Sequence, residues 1–165
     1  MNEYLQELKN QDQAVRHAVG DIDWEIVSKE DTERRMKVTE ILKNGEVRSA
    51  EDFYNAALIF QHGPSVDDIQ LAYSLARISS LLNPDDKDTS WLCAAAWDRH
   101  MEYRKRPQWY GTQFTEQDNS EEFELYEIDE TAVSDAERIA SGVPTLSESK
   151  ADALTIRQKI LDGIL

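Results

Sequence analysis

The run Trp91-Leu92-Cys93-Ala94-Ala95-Ala96-Trp97 sets the strongest constraint on how this chain can fold. Wound as a helix, it is apolar on every side, so other elements must surround it. The reading is a central buried helix from about Ser90 to Arg104. The rest of the sequence supplies partners for it. Tyr4, Leu5, Leu8, Val15 and Val19 have loose helical spacing, closed by Gly20. Met36, Val38, Ile41 and Leu42 form the stripe of a second helix over 31–45, stopped at Asn44-Gly45. Ser49, with Asp52 three residues on, opens a third as a variant capping box, and Gln61-His62-Gly63-Pro64 ends it. Ser65 caps a fourth, with Asp67 and Asp68 beside its N-terminal dipole. Its apolar face holds Ile69, Ala72, Tyr73, Leu75, Ala76, Ile78 and Leu82, and Asn83-Pro84 closes it.

After Pro107 the period changes. "QWYGTQF" and "EFELYEID" are aromatic or alternating and are joined by the polar "TEQDNSE", which predicts a small β-hairpin near residues 108–129. Helical patterns return over 131–142 and 146–161, separated by Gly142 and Pro144. At 165 residues the expected fold is mainly α: a single-domain bundle over 1–165, of about six to seven helices with that one hairpin.

Charge narrows the function. With 33 acids against 18 bases the net charge is −15, which disfavours phosphate backbones and anionic membranes as partners. The basic, Tyr103-containing stretch 99–106 pairs more economically with the acidic run 116–130 than with nucleic acid. Cys93, the single cysteine, sits in an apolar run that suits a buried, inert thiol. The N-terminus lacks the charged and apolar regions of a signal peptide, and no apolar run reaches the ~18 residues of a membrane span, so a cytoplasmic location is expected. Glycine-rich phosphate loops, GxSxG and HExxH are all missing. His17, His62 and His100 do not have metal-ligand spacing, so neither a metal nor a cofactor is expected.

The candidate chemistry lies where core helices turn polar. The third helix ends on Gln61 and His62, and the fifth reaches Asp98 and Arg99. Burying an unpaired charge is costly, so such groups must pair or reach a wet cavity. Tyr110, Gly111, Thr112 and Gln113 follow directly; Gly111 permits an unusual backbone angle, and the others offer donors and acceptors. Gln13 and Arg16 share a helix surface with Asp12. The expectation is a polar pocket for a small polar molecule or a peptide. In it His62 and Asp98 do acid–base work, Arg99 holds an anionic group, and Gln61, Tyr110, Thr112, Gln113, Gln13 and Arg16 position the substrate. The alternative is an acidic interaction module of immunity, adaptor or inhibitor type, meeting a basic protein through residues 116–130, which hold eight acids and no base.

Asp12-Gln13 with Arg16, Gln61-His62, Asp98-Arg99 and Pro107-Gln108 with Tyr110-Gly111-Thr112-Gln113 together resemble a bacterial domain family of unknown function marked by its YGTQ signature. The resemblance covers roughly residues 8–145 and implies a shared fold and pocket but no particular reaction. The family pattern carries an acidic residue soon after "QH", where this chain has Gly63 and Pro64. A histidine–acid relay through that loop is therefore not expected.

Overall fold

The computed structural model describes residues 1–16, 22–116 and 123–152. Its elements are α1 (Glu3–Arg16), α2 (Trp24–Lys43), α3 (Ala50–Phe60), α4 (Val66–Leu82), α5 (Lys87–Tyr103), β1 (Phe114–Glu116), β2 (Phe123–Leu125) and α6 (Asp135–Ala140). A seventh helical stretch covers 146–152. Among the described residues the chain is thus mainly helical with one two-stranded antiparallel hairpin, as the sequence predicts. It divides into two compact units, Met1–Leu92 and Cys93–Leu165. No helix among the described residues is long and apolar enough to cross a membrane.

In the first unit α3 packs against α4, α1 and α2. It buries the apolar Ala56, Ala57, Ile59 and Phe60 together with Asp52 and Asn55. The expected caps at Ser49 and Ser65 both form: each serine accepts from the amide three residues on, and Asp52 and Asp68 return bonds to the cap residues. α1 buries Leu5, Leu8 and Asp12, while Tyr4 is exposed. Val19 and Gly20 lie outside the described residues.

α2 departs most from expectation. It begins at Trp24, not Asp31, because the Asp23 side chain accepts from the amides of Glu25 and Ile26. Its buried line is Val27, Asp31, Arg34, Val38 and Ile41, with Arg35 alongside, and Met36 points to solvent at 66 % exposure. The helix therefore buries charges in the middle of its apolar stripe. α4 buries Ile69, Ala72, Leu75 and Ala76 as expected, but adds Ser79 and Ser80 and leaves Ile78 and Leu82 exposed.

α5 starts at Lys87, three residues before Ser90, because the Asp86 carboxylate accepts from the amides of Asp88 and Thr89. It is not buried all round: Leu92, Ala94, Ala95 and Ala96 are covered, but Trp91 is 44 % exposed. In the second unit β1 and β2 pair Phe114 with Leu125 and Thr115 with Glu124. Gln108 forms an isolated parallel bridge with Ile128, separate from the antiparallel ladder of β1 and β2. Ser134 caps α6 through a capping box with Glu137.

Candidate functional site

The first unit builds its polar centre on Asp12. The third turn of α1 presents this carboxylate to the core, fully buried. Its Oδ2 lies 3.0 Å from His62 Nδ1 and accepts from Gln13 Nε2 at 2.8 Å. Its Oδ1 accepts from Arg16 Nη1 at 3.1 Å, and Arg34 Nε stands 3.9 Å from the same atom. A carboxylate only accepts, so His62 Nδ1 carries the hydrogen in this contact. In the neutral ring Nε2 is then the basic nitrogen. Among the described residues, all hydrogen bonding of the ring runs through Nδ1.

A second carboxylate stands behind the first. Asp31 accepts from Arg16 Nη2 and from Arg34 Nη2, both at 2.6 Å. Burial would raise the Asp31 carboxyl, but these two guanidinium groups overturn that and hold it below its ordinary value. Asp12, Arg16, Asp31 and Arg34 thus form a closed ring of alternating charge, and His62 hangs from one corner. Arg35 donates to the His62 carbonyl at 3.4 Å and lies 3.9 Å from Asp68. Gly63 is required here, since a Cβ at that position would collide with the Asp68 side chain. The acid beside His62 therefore comes from α1, not from the loop after the histidine.

Beside Arg34 runs an open groove of about 430 Å³ between α1 and α2. Glu30, Glu33 and Lys37 line it along α2, and Gln11 and Val15 along α1.

The second unit is built on Asp98, also fully buried. Its Oδ1 accepts from the amides of Trp109 (2.8 Å) and Tyr110 (2.9 Å). Its Oδ2 accepts from the amides of Gly111 (2.9 Å) and Thr112 (3.0 Å) and from Thr112 Oγ1 (2.9 Å), with Tyr110 N at 3.2 Å. Four successive amides can converge on one carboxylate because Gly111 takes φ +90°, a conformation that L side chains rarely adopt. Burial raises the Asp98 carboxyl above its ordinary value, and the amides offset part of that rise. Gln108, fully buried, donates to the carbonyls of Gln113 and Tyr126 and accepts from Gln113 N. Gln113 accepts from Arg99 Nε at 2.9 Å and donates to Ala95 O and Thr112 Oγ1. Arg138, 2 % exposed, ties off the outer side by donating to the carbonyls of Trp109 and Tyr110.

Within the first unit, then, the structure brings together His62, Gln13 and Arg16 around Asp12. Gln61 sits one residue before His62 as the C-cap of α3. Within the second, Asp98, Arg99, Tyr110, Thr112 and Gln113 share one network. Sequence reasoning did not single out Asp31, Arg34, Arg35 and Arg138. The first two were visible in principle, since they fall in phase with Val27, Val38 and Ile41. No family model, no curated protein and no solved structure matches this chain.

Proposed function

We propose that the chain is a ligand-binding protein or enzyme whose acid–base centre is His62, held by Asp12, and whose substrate is a small polar molecule or a peptide. The observation that carries this reading is the 3.0 Å contact between a partly exposed imidazole and a fully buried carboxylate. An acid at Nδ1 fixes the tautomer and orientation of a histidine and steadies the imidazolium once Nε2 has taken a proton.

On this reading the motifs that resemble the YGTQ-marked pattern divide into two jobs. Asp12, Gln13, Arg16 and Gln61-His62 serve the chemistry. Asp98, Arg99 and the 108–113 segment serve as scaffold, because an Asp98 that moved a proton would have to surrender bonds from five donors. The test is a thermal-shift and turnover screen of amino acids, short peptides and small organic acids. His62→Ala should remain folded and lose the response to any hit. An undiminished response in that variant removes the reading.

A second reading has its own support. Glu124, Glu127, Asp129 and Glu130 are exposed and continue the acidic run of the sequence. They suit an interaction module that meets a basic protein by charge steering. Association that weakens steeply with salt, yet is unaffected by His62→Ala, would favour it.

A further inference from the structure

We infer that Asp31 is a positioning residue for His62: by bracing Arg16 and Arg34 it closes the ring of alternating charge that fixes the Asp12 carboxylate against the imidazole. The inference rests on the acid–base reading above for its importance, but its evidence is separate. Arg16, 17 % exposed at the side chain, reaches Asp12 through Nη1 alone, which bonds the carboxylate and the backbone carbonyl, so without Asp31 the guanidinium could pivot about that atom. Asp31 prevents this by holding Nη2 at 2.6 Å while Nη1 stays on Asp12. The same carboxylate holds Arg34 Nη2 at 2.6 Å, which keeps Arg34 Nε beside Asp12 Oδ1. Two guanidinium groups thereby approach Asp12 from fixed directions. The carboxylate is left one orientation, in which His62 Nδ1 sits 3.2 Å from Oδ1 and 3.0 Å from Oδ2 while Oδ2 accepts from Gln13.

The ring also sets the charge around the imidazole. From α1 come Asp12 and Arg16; from α2 come Asp31, Arg34 and Arg35, with Glu30 3.4 Å from Arg34; from α4 comes Asp68 beside Arg35. Removing the Asp31 charge leaves the guanidinium groups less compensated. That opposes an imidazolium at His62, so proton affinity must fall.

The experiment is an NMR titration of the His62 imidazole in the full chain, with His62→Gln assigning its signals among the three histidines. In Asp31→Asn the midpoint should fall by about half a pH unit or more, a loss of about threefold in proton affinity. Asp31→Glu should recover most of that fall. Arg16→Gln, which removes a cation instead, should move the midpoint the other way. A folded Asp31→Asn whose midpoint stays within about 0.2 of wild type would overturn the inference, since a purely structural role leaves the titration in place. If Asp31→Asn does not fold, Arg16→Gln decides through the Nδ1 proton and nitrogen shifts of His62: loss of the Nδ1–H bond to Asp12 supports the ring, and its retention overturns it. The readout needs no substrate, so it fails or succeeds independently of the ligand screen.

Discussion

Replacing Asp98 by Asn isolates one physical quantity, the direction of the hydrogen bonds at the centre of the second unit. Asparagine has the same shape as aspartate, so packing is preserved. One carboxylate oxygen, however, becomes an NH₂ donor. In its best orientation the remaining oxygen serves Trp109 and Tyr110, now without a negative charge, and the NH₂ group faces the amides of Gly111 and Thr112. Those two amides lose their acceptor, at about 1–3 kcal/mol each for a buried unsatisfied donor. The bonds to Trp109 and Tyr110 drop from charge-assisted to neutral, roughly halving their strength. Against this, Asn avoids the desolvation that raises the Asp98 carboxyl. The net loss should be about 3 kcal/mol, which for a chain of this size lowers Tm by roughly 6–12 °C. Urea unfolding followed by far-UV circular dichroism gives the stability. Indole emission reports on the site itself, since the Trp97 and Trp109 rings are 4.8 Å apart. A loss below about 1 kcal/mol would refute the reasoning, because two buried amides left facing a donor cannot be that cheap.

Other outcomes follow from the same geometry. Gly63→Ala should cost about 1–3 kcal/mol, measured by denaturant midpoint, because the new methyl must displace Asp68 and with it the cap of α4. Asp52 is pulled two ways: burial would raise its carboxyl, but the amides of Asn2, Ser49 and Arg48 overturn this and hold it at about 2, against an ordinary 3.8. A depressed folded value stabilises above the unfolded pKa and is lost as pH falls through the folded one, so roughly 2 kcal/mol should disappear between pH 5 and about 2. Asp52→Asn should flatten that part of the pH–stability curve. Arg138→Leu should free the carbonyls of Trp109 and Tyr110 and shift tryptophan emission to the red along with a loss of about 2–4 kcal/mol; unchanged emission would argue against the clamp.

Legibility in the sequence tracked how local each interaction is. The caps at Ser49 and Ser65 are three-residue chemistry and were readable as letters. The hairpin was readable from its change of period. The start of α2 was not, because an apolar-stripe reading discards charged positions, and α2 buries Asp31, Arg34 and Arg35 among Val27, Val38 and Ile41. Met36 entered the predicted stripe for the same reason. At the sites, the residues around Asp98 were readable as neighbours in sequence, but their arrangement was not: the groups that bind Asp98 are mostly backbone amides, which no letter displays. The partner of His62 lies fifty residues away on α1, and only the fold can join them.

Three fully or nearly fully buried carboxylates differ in what holds them. Asp52 and Asp98 are both met by backbone amides. Amides have fixed directions and do not titrate over any ordinary pH range, so a carboxylate held by them is locked and carries no signal onward. Asp12 is met by side chains instead: an amide from Gln13, guanidinium from Arg16 and Arg34, and the imidazole of His62. Only this third set contains an imidazole. The distinction rests on the donor and not on the acid, and it separates Asp12 from Asp98 although both are fully buried. It also has a direct consequence: substitution at Asp98 should change stability and leave the His62 titration where it is, whereas substitution at Asp12 should change both.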